Sequence, residues 1–163
     1  MSYRNPMSYR NAAFPGTFDP ITLGHLDIIE RAASLFDQLT VAVAESRGKN
    51  TRLSLDKRVA LAKKSCHHLS NVKVVGFSSL LENFLKLNQI NVLVRGLRSV
   101  TDYDYEMQLC GMYCRAMPQL EIVMLQSRPE LACISSTLVR ELKSFNAEIR
   151  PYVPDAVAME FAQ

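Results

Sequence analysis

Two stretches of this chain combine residue types suited to holding a phosphate. Phe14-Pro15-Gly16-Thr17-Phe18-Asp19-Pro20 runs on into Thr22-Leu23-Gly24-His25, where glycines without a Cβ let an anion approach the backbone. A helix opening here would add unpaired N–H groups and the positive end of its dipole. His25 would add an imidazole donor for a phosphoryl oxygen that gains charge during transfer. A tight loop shaped by proline and glycine, with His25 as its cap, explains the same residues. Far along the chain, Ile134-Ser135-Ser136-Thr137 leads into Leu138-Val139-Arg140. Three consecutive hydroxyls there can cap a helix or donate to phosphate oxygens, and capping alone accounts for them.

Cations complete the set. In Arg95-Gly96-Leu97-Arg98, two arginines separated by a glycine turn can clamp a polyphosphate through forked donors. Arg95 abuts an apolar strand, a poor place for a merely solvated charge. Lys49, in Ser46-Arg47-Gly48-Lys49, is a mobile cation or simply a solvated loop lysine. No Ser-His-Asp arrangement, zinc spacing or Walker A loop is present, and the glycines lack the G-x-G-x-x-G spacing of dinucleotide-binding proteins. Phosphate donors with little acid–base machinery suit phosphoryl-type transfer, where positioning and electrostatics supply most of the catalysis.

Something must hold these segments together, and the periodicity says what. Strand patterns at Tyr9–Phe14, Leu39–Ala44, Val72–Val75, Val92–Val94 and Ile122–Leu125 alternate with helical patterns at His25–Phe36, Ser54–His67, Leu80–Leu87, Thr101–Ala116, Ser135–Phe145 and Pro154–Phe161. Alternation of this kind predicts an α/β fold: one Rossmann-like domain over 9–163, with a five-stranded parallel sheet covered by helices on both faces. Ligands bind such sheets beyond the carboxyl ends of the strands, where strand order reverses, and the segments above follow strands. Residues 1–8, with the tandem MSYRNP and MSYRN, are expected to be a poorly ordered leader.

Composition excludes several classes. The 163 residues carry a net charge of +3, with 48% hydrophobic and 21% charged residues, against disorder and against a strongly basic nucleic-acid binder. The apolar runs are strand-sized, far short of a membrane span, and no signal-peptide core is visible, which points to a cytoplasmic protein without membrane partners. Cys66, Cys110, Cys114 and Cys133 are too sparse for a disulfide framework and read best as small buried hydrophobes. His67 and His68 read as helix-end caps or solvent-facing groups, and no metal site built from protein side chains is expected.

Together these segments resemble the nucleotidyltransferase superfamily marked by T/H-x-G-H and I-S-S-T-x-x-R motifs, which Thr22–His25 and Ile134–Arg140 fit without departure. Within it the chain is similar to the bacterial phosphopantetheine adenylyltransferases, through Phe14–His25, Val74–Ser78, Val94–Arg98 and Asp102–Leu109. The resemblance implies transfer of the adenylyl group of ATP to 4′-phosphopantetheine, giving dephospho-coenzyme A and pyrophosphate by in-line attack without a covalent intermediate. It implies that His25, Lys49 and Arg95 are catalytic. Thr17, Lys49, Leu81 and Arg95 would hold phosphopantetheine. ATP would be held by Thr17, Phe18, His25, Gly96, Leu97, Arg98 and Glu106, and by the loop Leu131, Ala132, Cys133, Ile134, Ser135, Ser136 and Thr137. Magnesium would ride on the ATP phosphates, and the assembly would be a homo-hexamer. Tyr113, where the family often has asparagine, and Leu131-Ala132-Cys133 depart from the pattern. Two rivals are a superfamily member with another phosphorylated acceptor, such as nicotinamide mononucleotide, and a catalytically silent nucleotide-binding module.

Overall fold

The computed structural model describes residues 11–45, 48 and 50–162. The leader, the first two residues of the expected first strand, and Lys49 lie outside the described residues. Five strands alternate with helices: β1 (Asn11–Gly16), α1 (Leu23–Leu35), β2 (Gln38–Ala44), α2 (Leu55–Ser65), β3 (Val72–Phe77), α3 (Leu81–Leu87), β4 (Val92–Leu97), α4 (Val100–Ala116), β5 (Glu121–Gln126), α5 (Ser136–Ser144) and α6 (Asp155–Phe161). The strands form one parallel sheet in the order β3-β2-β1-β4-β5.

Alternation along each strand sends neighbouring side chains to opposite faces. Ala12, Phe14, Val41, Val43, Val92 and Val94 pack with Ile28 and Ile29 of α1, Leu61 of α2, Val139 of α5 and Val157 of α6. Ala13, Ala42 and Leu93, one register step away, pack with Phe84 and Leu85 of α3 and with Leu120 on the other face. The sheet is therefore buried on both sides, which is why its strands read as continuous apolar runs.

Strand order reverses between β1 and β4. β1 pairs with β2 along its whole length, from Asn11–Gln38 to Gly16–Val43. With β4 it pairs only through Ala12–Val92 and Ala13–Leu93. Beyond those residues the two strands part, leaving a crevice at their carboxyl ends, where α/β sheets bind ligands.

Two local expectations change. Arg95-Gly96-Leu97 is not a turn but the last half of β4, because Met124–Gln126 of β5 extend the parallel ladder opposite it. Tertiary pairing here overrides the weak strand preference of glycine. The chain also enters α1 earlier, at Leu23 with Thr22 as N-cap. The remaining boundaries move by a residue or two, and Ser54, Ser99 and Ser135 each cap the helix that follows.

Candidate active site

A cavity of about 350 Å³ fills the crevice. Its lining brings together the β1–α1 loop from Phe14 to Asp19, the first turn of α1 at Gly24 and His25, Arg95 and Gly96 of β4, and the start of α5 at Ser135–Thr137. Arg98, Asp102 and Glu106 close one side, and Asn50 and Thr51 another. Segments distant in sequence thus meet at one place, with the amino ends of α1 and α5 both facing it.

His25 is held by its own helix. The Thr22 backbone N–H donates to His25 Nδ1 at 3.1 Å, Thr22 Oγ lies 3.0 Å from the same nitrogen, and the His25 backbone N–H donates to Thr22 Oγ at 3.4 Å. This is a reciprocal capping box with histidine in the place usual for glutamate or glutamine. A backbone N–H can only donate, so Nδ1 is the unprotonated nitrogen and the proton of the neutral ring sits on Nε2. Part of the ring stays open to the cavity, but dense surroundings, including Phe18 edge-on at 5.1 Å, remove most of its water. That desolvation, aided by the Arg98 charge, lowers its pKa to about 4. At neutral pH His25 is an uncharged donor through Nε2–H. It caps the helix and faces the cavity at once, so the two readings of this residue are compatible.

Gly16 and Gly24 both line the cavity, and Gly16 has a packing role as well. A Cβ on Gly16 would stand 2.8 Å from the Phe18 ring, and Phe18 is buried at φ 49°, stacked edge-on to Phe14 and His25. Close approach of the ring demands glycine at 16, which also lines the cavity. A Cβ on Gly24 would stand 3.5 and 3.7 Å from the carbonyls of Leu131 and Ile134, ordinary contact, with the loop before α5 lying against α1. Gly16→Ala is expected to cost about 1–3 kcal/mol, read as a lower urea midpoint at unchanged m-value, because the pinned ring cannot yield. Phe18 itself is core, and the cavity meets little more than its edge.

The arginines are pre-paired. Arg95 Nε and Nη2 donate to Glu106 Oε2 and Oε1, each at 2.5 Å, with side-chain exposures of 18% and 12%. This fork uses one edge of the guanidinium and leaves the Nη1 edge outside the pair. Glu106, expected on the nucleotide, has a structural duty as well. Arg98 forks to Asp102 at 2.9 and 3.2 Å in a more exposed setting. At α5, Ser135 Oγ accepts from Leu138 N at 3.1 Å, Thr137 Oγ accepts from Arg140 Nη2 at 3.1 Å, and Ser136 Oγ donates to Pro20 O at 2.8 Å. Ser135 and Thr137 accept in these bonds, so their own O–H protons remain available to an anion.

The other expected residues fall apart from this group. Leu97, Leu81 and Leu131–Cys133 do not line the cavity. Leu81 and Tyr113 are half-buried on the α3–α4 face, packed with Phe77 against Phe84 and Leu93. Cys66 and Cys110 are buried as expected, whereas Cys114 and Cys133 are exposed. His67 and His68 face solvent, on Lys64 O and Glu30 respectively.

Sequence reasoning missed Asp19, Arg58, Asn50 and Thr51. Asp19 is buried and accepts from the backbone N–H of Arg52 and Leu53 at 2.8 and 3.0 Å. Arg140, the last residue of the second motif, donates to Asp19 O at 2.7 Å. A charged residue following a proline-rich turn was the available signal for Asp19. Arg58 had none, since it occupies an ordinary helical position.

Comparison with known proteins agrees with this geometry. A family model described as cytidylyltransferase-like matches residues 13–142, from β1 through most of α5. The chain belongs to the cytidylyltransferase-like family of nucleotidyltransferases. The match contains every described cavity segment. Among solved structures, the chain is similar to a putative nicotinate-nucleotide adenylyltransferase from Vibrio parahaemolyticus, with a TM-score of 0.68 and 18% identity over 93% of this chain and 90% of that one. It is also similar to a bifunctional NMN adenylyltransferase/ADP ribose pyrophosphatase from Francisella tularensis, with a TM-score of 0.69 and 14% identity over 89% of this chain. There the match spans 45% of the Francisella chain. At these identities the likeness carries the fold: the expected Rossmann-like sheet with helices on both faces. Among the described residues, no helix is long and apolar enough to cross a membrane.

Proposed function

We propose that this cytidylyltransferase-like protein is a cytoplasmic enzyme that transfers the adenylyl group of ATP to 4′-phosphopantetheine, releasing pyrophosphate. An acceptor phosphate oxygen attacks the α-phosphorus in line, and the bond to the pyrophosphate oxygen breaks. His25 Nε2–H donates to the α-phosphate as its charge grows. Ser135, Thr137 and the amino end of α5 receive the leaving phosphates, with Gly96–Arg98 and Glu106 on the nucleotide side. Lys49 and the Nη1 edge of Arg95 orient the attacking phosphate, with Thr17 beside both substrates.

The observation that carries the choice of acceptor is the place of Arg95. It lines the cavity with His25, and Leu93, two residues before it on the same face of β4, sits in the cluster against which Phe77, Leu81 and Tyr113 pack as an apolar shelf. A phosphate held at Arg95 can therefore project a thin, largely aliphatic arm along that shelf, as pantetheine would. A nicotinate or nicotinamide mononucleotide acceptor is the second reading, favoured by the names of the two structural neighbours, a putative nicotinate-nucleotide adenylyltransferase and an NMN adenylyltransferase.

Magnesium fits on the nucleotide rather than in a protein cage. The cavity carboxylates of Asp19, Asp102 and Glu106 each accept from N–H donors, and phosphate oxygens and water would be its ligands. Bound there, it would neutralise phosphate charge. The exposed Val100, Tyr103, Met107 and Met112 of α4 suit a subunit interface, in keeping with a hexamer.

A panel of phosphopantetheine, nicotinate mononucleotide and nicotinamide mononucleotide, each with ATP and magnesium, tests the reading through pyrophosphate release. Phosphopantetheine is expected to exceed the others in kcat/KM by at least about 10²-fold. Preference for either mononucleotide would replace it with the second reading.

A further inference from the structure

Arg58, on the second turn of α2, is 2% exposed and among the largest fully buried side chains, yet it does not line the cavity. Its guanidinium reaches three backbone carbonyls on three segments. Nη1 donates to Thr17 O at 2.6 Å and to Ala44 O at 2.7 Å, and Nε donates to Leu53 O at 3.1 Å. Thr17 belongs to the loop after β1, Ala44 ends β2, and Leu53 precedes α2. Each carbonyl lies where the regular ladder or helix has run out, so each needs another donor.

Burying a guanidinium costs several kcal/mol that an apolar side chain would not. Burial accordingly lowers its pKa, against the carboxylates of Asp19 and Glu45. What the charge achieves is a fixed distance between two walls of the cavity. Thr17 stands in one wall, and Asn50 and Thr51 stand in the other. Asp19 completes the brace from the opposite side by accepting the N–H of Leu53, so Leu53 is held at both its N–H and its carbonyl. The Ser135–Thr137 wall belongs to other elements and makes none of these three bonds.

We propose that Arg58 is a positioning residue for the transfer reaction, setting the β1–α1 loop against the segment between β2 and α2 so that the acceptor phosphate lies in line with the α-phosphorus. This rests on the adenylyl-transfer reading above. Arg58 touches no reacting group; its effect passes through the Thr17 and Leu53 carbonyls. Lysine would keep the charge but present a single nitrogen, which cannot match a fork spanning three segments.

Arg58→Lys and Arg58→Met are compared with wild type in three measurements: thermal midpoint, steady-state kinetics with each substrate varied, and hydrogen exchange of the free protein. In Arg58→Lys the midpoint is expected to stay within a few degrees of wild type. The acceptor kcat/KM should fall about 10- to 100-fold, as misplacement on the ångström scale does, while ATP affinity changes less than about threefold. Exchange should quicken at residues 16–20 and 50–53 but not in α5. Arg58→Met should be worse in activity than Arg58→Lys. Unchanged exchange in those segments, or equal losses for ATP and acceptor that follow the midpoint, would overturn the proposal. So would failure of both variants to fold, which would make Arg58 a residue of the fold alone. Hydrogen exchange needs no substrate. If wild type is inert with phosphopantetheine and the segments still loosen, the substrate reading fails and the brace stands.

Discussion

Replacement of His25 by glutamine is expected to lower kcat by about 10²- to 10³-fold, the usual loss for one transition-state donor, with ATP affinity changed less than about threefold. Glutamine is the informative choice because it is a normal partner in a capping box. Its carbonyl can accept the Thr22 N–H that His25 Nδ1 accepts at 3.1 Å, so α1 keeps its cap while the Nε2–H donor is lost. Alanine would lose the cap as well, at about 1 kcal/mol, and would mix the two effects. Stopped-flow turnover and calorimetric ATP binding separate them; equal losses in both would make His25 a ground-state ligand.

The same residue sets an expectation for pH. Its folded pKa, about 4, lies below the ordinary 6.5, so between those values the unfolded chain binds more protons than the folded one. Stability from the neutral ring is complete above pH 6.5 and is lost as pH falls toward 4. The stability advantage of wild type over His25→Gln should therefore shrink on acidification, and kcat should show no inflection near pH 6.5 from this group. Urea unfolding at a series of pH values and a pH–rate profile measure the two. An inflection in wild type that His25→Gln lacks would show a ring that titrates normally.

Arg95→Ala is the second large effect. Removing the guanidinium takes one charge-assisted contact from the attacking phosphate, and kcat/KM for the acceptor should fall about 10²- to 10³-fold. It also strands Glu106, 12% exposed, as an uncompensated charge, so stability should fall by about 3–5 kcal/mol. The paired change Arg95→Met with Glu106→Leu should recover most of that stability, because apolar replacements of a buried ion pair are often neutral or better. Activity should not recover. A double variant that regained turnover would mean Arg95 acts only as Glu106's counter-ion. Glu106→Gln completes the cycle by showing how much the fork's orientation matters.

Much of this was legible in the sequence because the signals are local. Helix and strand periods set the order of elements, and Ser54 and the Ser135–Thr137 hydroxyls marked where α2 and α5 begin, whereas the Ser99 cap of α4 came only from the structure. Thr22–His25 and Ile134–Arg140 each carry their candidate phosphate-binding features within a few consecutive residues. The packing reason for Gly16 was not legible, since only folding places the Phe18 ring over it. β4 was read short because its last residues are strand only by virtue of β5 beside them.

The sequence by itself determined an alternating α/β chain whose candidate anion-binding residues lie at or after the ends of its strands, since hydrophobic period, capping and motif spacing act between near neighbours. Only the tertiary structure decided that these segments meet where β1 and β4 part. It alone paired Arg95 with Glu106, fixed the His25 proton on Nε2 in a desolvated setting, and set Arg58 across three carbonyls. Those outcomes depend on distances between segments far apart in the chain, which the packing of helices on a twisted sheet sets and no local pattern encodes.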